Sequence, residues 1–403
     1  MSRIHVIGMS PGFPLSKEAR EALMRSKSIL ASERLYGLLI DDDSFPLYRD
    51  RVTVINKVES TIETLKKTRS ESAVLASGDP MFFGIGKRIT EEFEGREVLM
   101  YPALSSLQLA FSRAGLSWHD AFLVSFHGSG KRRWTPADLP LLCERHEKLA
   151  ILTGGENTPS TISAHLPGSS AVWVAERLGY SDERIRKAKA SGLRRMKFRE
   201  PNVMIVESHR TSDGGPVMGL NENEFRHRGG LITKDEVRAV VLHKLRLPLE
   251  GVLWDIGAGS GSVSIEAKKL SPLMDAYAIE KDPARSEDIK SNALSLRAGE
   301  INVVQGAAPS ALLNLPAPDR VFIGGSGASL PSVIKQVIKR INKGGVIVVT
   351  AITLESMEAA RASLEGSGLS PEITQVAVSR SSRVGQGNYM KALNPVFIIK
   401  VNT

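Results

Sequence analysis

Short apolar runs that stop at a glycine, a proline or an acid recur along the chain, each followed by a stretch whose apolar positions return at helical spacing. Such runs suit strands buried on both faces, and their alternation with helical stretches predicts α/β architecture. In the first half, strands are expected at Ile4–Ile7, Val74–Ala76 and Val98–Tyr101, with helices over Lys17–Ser26, Gly86–Phe93 and Ala103–Phe111. The turn G-M-S-P-G at 8–12 and the break S-G-D-P at 77–80 end the first two strands. After Gly115 the pattern restarts, with strands at Ala121–Phe126, Leu149–Leu152, Ala171–Val174 and Val203–Val206, which reads as a second α/β lobe. The polar, turn-rich H-R-T-S-D-G-G-P at 209–216 reads as a linker. Beyond it, Thr233 is expected to cap a helix with Glu236 at the capping-box position and Val237, Val240, Val241 and Leu245 on one face. Strands then follow at Val252–Ile256, Ala276–Ile279, Asn302–Val304, Arg320–Ile323, Gly345–Ala351, Glu372–Val378 and Val396–Val401, alternating with helices until the last two. These patterns place domains at 1–208 and 218–403, joined by a linker at 209–217.

The stretch V-L-W-D-I-G-A-G-S-G at 252–261 carries the sharpest chemical signal. A buried strand ends in Asp255, and Gly257, Gly259 and Gly261, interleaved with Ala258 and Ser260, let backbone approach a ligand closely. The spacing is G-x-G-x-G, with Ser262 where the dinucleotide motif G-x-G-x-x-G needs its last glycine. A carboxylate at Asp255 would repel a pyrophosphate but could order the loop or attract a cation, which favours S-adenosylmethionine with its positive amino and sulfonium groups. Glu280 ends the next strand nineteen residues after Gly261, where a carboxylate hydrogen-bonds ribose hydroxyls in α/β nucleotide sites.

Composition narrows the setting. The 403 residues are 42% hydrophobic, enough for two or three packed cores. The single cysteine, Cys143, excludes an internal disulfide and a thiolate zinc cluster. The first strand reaches Gly8 and Pro11 too soon for a signal-peptide core, and no run approaches the roughly 18 apolar residues of a membrane span, so a cytoplasmic protein without a membrane partner is expected. The formal charge of +9 is spread over both halves, which suits an anionic partner, either nucleic acid or a polycarboxylate metabolite. The stretch Arg184–Arg199 holds eight basic residues and no acid, but with Phe198 its one aromatic it reads as a solvated helix and edge strand, not a base-stacking platform.

Five segments in order, the G-x-x-P-G turn, S-G-D-P-x-F-F-G, P-A-L-S-S-L-Q-L-A-F, L-T-G-G-E-N-T-P and A-E-R-L-G-Y-S-D-E-R-I, resemble the tetrapyrrole methylase family over about residues 3–208, nearest to its branch acting at C5 of a precorrin ring. The resemblance implies a two-lobed fold that holds S-adenosylmethionine between its lobes, with Gly8, Pro11, Gly12, Gly78, Asp79, Pro80, Phe82, Ser105 and Ser106 at the cofactor. Ser10 and Ala103 stand where the family pattern has glycine. Over about 218–402, L-I-T-K-D-E-V-R-A-V, I-G-G-S-G and V-V-T-A-I-T-L-E-S resemble the C15 precorrin methyltransferases and decarboxylases of the class I fold. By that resemblance Thr233, Gly257 to Gly261, Glu280 and Ala308 line a second cofactor site. Ala307 stands where many relatives have an acid beside the adenine.

The fold class expected is therefore α/β, a two-lobed tetrapyrrole methylase fold followed by a Rossmann-like S-adenosylmethionine-dependent methyltransferase domain. The two resemblances together imply a fused enzyme of cobalamin biosynthesis. It would use two S-adenosyl-L-methionine molecules, one per domain, to methylate C5 and C15 of a polycarboxylate tetrapyrrole and release the C12 acetate carboxyl as carbon dioxide. Whether that substrate carries cobalt stays open. Gly324, Gly325, Ser326 and Gly327, after the fourth strand of the second domain, would let a flat macrocycle lie on backbone N–H groups. Arg380 and Arg383, on the turn after Val378, are candidates for its carboxylates, and Glu236, Arg238 and Tyr389 are candidate proton handlers. The alternative is an RNA methyltransferase, disfavoured because the fourth strand lacks an N-P-P-[YF] signature and aromatics make up only 5% of the chain. No nucleic-acid partner and no metal are therefore expected, and both families commonly form homo-oligomers.

Overall fold

The computed structural model describes residues 3–127, 134–208, 216–230, 232–325 and 329–403. Its chain forms two compact units, Met1–Arg132 with His146–His209, and Arg133–Arg145 with Arg210–Thr403. Among the described residues, no helix is long and apolar enough to cross a membrane.

The first unit begins with β1 (Ile4–Met9), α1 (Lys17–Arg25), β2 (Ser28–Ala31), α2 (Glu33–Ile40), β3 (Val52–Val54), α3 (Val58–Lys67), β4 (Ser72–Ser77), α4 (Gly86–Glu92), β5 (Val98–Tyr101) and α5 (Ser106–Ala114). Its strands form a parallel sheet in the order β3-β2-β4-β1-β5. β1 is buried along its whole length, as expected of a central parallel strand. The polar exception, fully buried His5, is held between the Tyr101 hydroxyl at 3.0 Å and Glu71 at 2.7 Å. The connections from β1 run towards β3 and then return across β4 to β5. The carboxyl ends of β1 and β4 thus border the point where strand order reverses, the usual ligand crevice of open α/β sheets. The sequence pattern started the last of these helices at Ala103. It starts at Ser106 instead, because Ser105 and Gln108 close a reciprocal capping box.

The second lobe contains β6 (Phe122–Ser125), β7 (Lys148–Leu152), α7 (Pro159–His165), β8 (Ala171–Glu176), β9 (Arg184–Lys189), α8 (Ala190–Leu193) and β10 (Asn202–Glu207). Its mixed sheet has the order β6-β7-β10-β8-β9. The basic run becomes the edge strand β9 followed by the short α8, and Lys187 lies 4.3 Å over the Trp173 ring. Charge on an exposed edge discourages further strand pairing.

Helix α6 (Leu139–Arg145) precedes β7 in sequence but packs in the second unit. There Asp138 and Glu144 accept the buried ammonium groups of Lys268 and Lys269 at 3.5 and 3.1 Å, and Arg145 donates to the Lys269 carbonyl. Two buried lysines need anions, and this segment supplies them. The sequence pattern placed these residues wholly within the first domain. The expected linker at 209–217 falls, as far as residue 215, outside the described residues.

The remainder of the second unit comprises α9 (Asp235–Leu245), β11 (Glu250–Ile256), α10 (Ser262–Leu270), β12 (Leu273–Glu280), α11 (Pro283–Ser295), β13 (Ile301–Gln305), β14 (Arg320–Ile323), α12 (Leu330–Arg340), β15 (Val346–Ala351), α13 (Leu354–Glu365), β16 (Glu372–Val376), β17 (Ser379–Val384), β18 (Gly387–Ala392) and β19 (Val396–Asn402). The main sheet runs β13-β12-β11-β14-β15-β19-β16, parallel through β15 and antiparallel at β19 and β16. Trp254, Ile256, Val321 and Ile347 face one packed helical layer, while Leu253, Phe322 and Val348 face the other. β17 and β18 form a separate antiparallel hairpin where the sequence pattern had only a turn. The expected capping box at Thr233 does not form: α9 starts at Asp235 with Lys234 at its N-cap and no side-chain cap. Glu236 is engaged by Arg380 instead.

Candidate active sites

In the first unit, the ends of β1, β2 and β4 and the turn before α5 face the second lobe across a cleft of about 350 Å³. Its wall includes Ser10, Pro11, Ser77, Gly78, Phe82, Ser105 and Ser106 from one side and His127, Thr153, Asn202 and Val203 from the other. The Ser10 hydroxyl donates to the Leu104 carbonyl, so the residue in the family's glycine position ties the first turn to the loop before α5. Thr153 donates to the Asn202 backbone and side-chain oxygens at 2.5 and 2.6 Å, fixing the opposite wall.

In the second unit, the loop from Gly257 to Gly261 connects β11 with α10. Gly257 and Ala258 donate their N–H groups to the Ile279 carbonyl at 2.9 and 3.1 Å. Glu280, buried at the end of β12, accepts from Gly259 N at 2.9 Å and from Asp282 N at 3.0 Å. Gly259 has a φ of +59°, in the left-handed region that favours glycine. A Cβ on Gly257 would stand 2.6 Å from the Gly325 carbonyl oxygen, so the loops after β11 and β14 meet backbone to backbone. Around them opens a cleft of about 930 Å³.

Asp255 lies behind this loop, 1% exposed, and accepts from Ser264 N at 3.1 Å and from the Ser264 hydroxyl. Burial pushes its carboxyl up to about 6, opposed by the Ser264 hydrogen bonds and reinforced slightly by the charge of Glu280. The Ser260 hydroxyl, also buried and on the cleft wall, has no hydrogen-bond partner among the described residues. An orphaned hydroxyl beside a glycine cradle and an acid at the end of the second strand fits a nucleoside ligand.

Comparison with known proteins gives each half a counterpart. The tetrapyrrole (corrin/porphyrin) methylase family matches residues 3–194, and the precorrin methyltransferase domain matches residues 223–403. A precorrin-6Y C(5,15)-methyltransferase [decarboxylating] of Sinorhizobium sp is 35% identical over 84% of this chain and 81% of its own length. The chain belongs to this decarboxylating precorrin-6Y C5,15-methyltransferase family. It is accordingly an S-adenosylmethionine-dependent methyltransferase with decarboxylating activity in cobalamin biosynthesis. The cobalt-precorrin-6B C(15)-methyltransferase (decarboxylating) of Salmonella typhimurium is 37% identical over 42% of this chain and 87% of its own length. A crystal structure of precorrin-6Y C5,15-methyltransferase from Geobacter metallireducens is 42% identical, covering 47% of this chain and 100% of that one, with a TM-score of 0.46.

Of the residues expected at the first cofactor of a precorrin-6Y methyltransferase, Pro11, Gly78, Phe82, Ser105 and Ser106 line the cleft. Gly8, Gly12, Asp79 and Pro80 do not. A Cβ on Gly8 would stand 2.0 Å from the Gly78 carbonyl, so Gly8 lets the strand ends meet. Gly12 is seated against Gly179, Asp79 accepts from Met81 N at 2.8 Å, and Pro80 is buried beneath Gly84 and Gly86. Around the second cleft stand Thr233, Gly257, Ala258, Gly259, Ser260, Glu280, Ala308, Gly324 and Gly325. Asp255 and Gly261 lie behind it, Gly261 packed against Ile289 of α11. Ser326 and Gly327 lie outside the described residues.

None of the proposed proton handlers lines the second cleft. Arg238 is fully buried, donating to Glu266 and to the Leu220 and Thr233 carbonyls, which makes it a structural cation. Glu236 is paired with Arg380, and Tyr389 projects from the exposed β18. Arg380 sits in β17, not on a turn, and its guanidinium is taken by Glu222 and Glu236. Arg383 is exposed in the same strand and is likewise absent from the cleft wall.

Sequence reasoning missed several wall residues. In the first cleft these include Arg34, Asn56 and Lys57, carried by elements around β2 and β3 whose apolar runs are too short to stand out. In the second they include Lys281, Arg285 and Asn394. Lys281 directly follows Glu280, so a charge beside that acid was the available signal.

Proposed function

We propose that each cleft holds one S-adenosylmethionine, and that the first unit methylates C5 of the precorrin while the second methylates C15 and releases the C12 acetate carboxyl. The supporting observation is a separate cleft in each unit, at the carboxyl ends of its parallel strands, inside a half matched by its own methyltransferase family. The Salmonella relative, named for C15 methylation and decarboxylation alone, pairs with less than half of this chain. S-adenosylmethionine, when bound, supplies an electrophilic methyl group for in-line displacement by an electron-rich ring carbon.

In the second cleft Glu280 and the Ser260 hydroxyl would hold the nucleoside, with Ala307 and Ala308 offering backbone and apolar surface to the adenine. Gly324 and Gly325 leave room for a flat macrocycle, and Lys281 and Arg285 on the cleft wall match its carboxylates in charge. In the first cleft Gly78, Ser105 and Ser106 would flank the cofactor. The protein's main contribution is alignment and exclusion of water, for which effective molarity supplies about 7–11 kcal/mol of barrier reduction. Decarboxylation places an electron pair on the acetate carbon, and the conjugated ring next to it accepts that pair. C12 flanks the C15 side of the ring more closely than the C5 side, which lets one site serve both reactions.

The test blocks one cleft at a time in the full chain. Ser106→Trp should stop C5 methylation and Gly259→Val should stop C15 methylation and carbon dioxide release, read by product mass and fragmentation. Loss of carboxyl caused by Ser106→Trp alone, with C15 methylation intact, would contradict this division.

A further inference from the structure

Ionisable side chains are scarce in the first cleft. Among the described residues that line it, only Arg34, Lys57 and His127 carry one. A guanidinium and an ammonium carry only donors, whereas an imidazole can present a ring nitrogen as an acceptor, which makes His127 the one of the three able to take a proton. Arg34 comes from α2, Lys57 immediately precedes α3, and His127 follows β6 on the opposite wall. The exposed Glu156, in a neighbouring loop, is not part of the wall.

His127 is itself exposed, and one side of its ring lies against the loop that carries Gly154. Gly154, in the L-T-G-G-E-N-T-P stretch, lies so close that a Cβ there would stand 2.4 Å from His127 Nδ1. That loop is closed by reciprocal backbone hydrogen bonds between Gly154 and Asn157, at 3.2 and 3.1 Å. Asn157 Nδ2 also donates at 3.3 Å to the Phe126 carbonyl, which belongs to the peptide bond leading into His127. The loop thus anchors the backbone that carries His127, and Gly154 leaves room for the imidazole beside it on the cleft wall.

The reaction releases a proton for such a group to take. When a ring carbon exchanges its hydrogen for a methyl group, the carbon's π pair forms the new C–C bond. The methyl–sulfur bond breaks with its pair left on sulfur. The C–H pair then returns to the ring as the proton departs, so C–H and CH3–S+ become C–CH3, a neutral thioether and H+. We propose that His127 accepts this proton during C5 methylation, with Arg34 and Lys57 as the cations facing the substrate's carboxylates. This role rests on the assignment of C5 methylation to the first cleft.

His127→Gln keeps a polar side chain of similar size that cannot be protonated. In the full chain, C5 methylation should slow about 10²-fold, the low end for loss of a general base. S-adenosylmethionine affinity, measured by calorimetry, should be unchanged. The wild-type C5 rate should rise with pH along a limb that the variant lacks, and free imidazole should restore part of the rate in His127→Ala. An unchanged C5 rate and pH profile in His127→Gln would overturn the proposal, as would a rate loss explained wholly by weaker cofactor binding. Ser106→Trp separates the two ideas. If it leaves C5 methylation intact, the assignment of that chemistry to this cleft fails; if it stops C5 methylation while His127→Gln does not, only the proton-acceptor role fails.

Discussion

Asp255 is a carboxyl that folding has taken out of water, and its raised pKa fixes a pH dependence. Below about pH 4 the folded and unfolded states both keep its proton, since the ordinary value is 3.8. Between there and about 6 the unfolded chain releases the proton while the folded chain retains it, so stability falls as pH rises through that window and stays lower above it. The difference corresponds to about 3 kcal/mol in the second unit. Asp255→Asn leaves an oxygen for Ser264 N and should remove the slope, measured by hydrogen exchange of β11 amides at several pH values; a slope that persists would refute this origin. Gly259 makes a different residue-scale demand. Gly259→Val forces a branched side chain into a left-handed backbone at the cleft wall, so cofactor binding to the second unit should be lost while C5 methylation survives. Calorimetric titration should then find one remaining site.

At the scale of elements, the buried pair of Arg238 on α9 and Glu266 on α10 joins two helices and the segment before them. Glu266 also accepts from Gly219 N and Leu220 N, and the Arg238 guanidinium lies 5.1 Å over the Phe225 ring. Arg238→Met would strand a buried carboxylate and should destabilise the second unit by about 3–5 kcal/mol. Adding Glu266→Gln, which keeps the acceptor without the charge, should recover part of that loss. Denaturant midpoints check both, and an unchanged pH profile of C15 methylation would separate this structural role from proton transfer. The β17–β18 hairpin depends on a comparable but more exposed contact, Arg380 between Glu222 and Glu236. Exposed ion pairs contribute little, so Arg380→Ala should change stability by less than about 1 kcal/mol and leave substrate affinity as it was.

At the scale of the whole molecule, the segment Arg133–Arg145 matters most for dissection. A fragment beginning at residue 218 lacks Asp138 and Glu144, leaving buried Lys268 and Lys269 without these acidic partners. Such a fragment should still methylate C15 and decarboxylate, but melt at a lower temperature than the same unit in the full chain, a difference read by calorimetry. Net charge acts over the same scale. With +9 overall and cations on both cleft walls, affinity for a polycarboxylate ring should fall as salt rises, because exposed charges are screened beyond about 8–10 Å. Substrate titration at two ionic strengths would show it.

The sequence by itself determined the strands that are continuous apolar runs, the two-lobe-then-Rossmann-like order and the glycine loop at 257–261, because backbone permissiveness and double-sided burial leave local marks. Spacing pointed to Glu280, and the family resemblance to Ser105 and Ser106, all of which line cleft walls. Only the tertiary structure decided the rest. Arg238, Asp255 and Gly8 look from sequence like reagents or ligand contacts, yet packing turns each inward, towards Glu266, Ser264 and the Gly78 carbonyl. His127 carries no local sign of importance; what distinguishes it is that, among the described residues, no other imidazole and no acid lines walls drawn from distant parts of the chain. Periodicity records which side of an element is buried; which groups share a cleft depends on long-range contacts that no window of sequence contains.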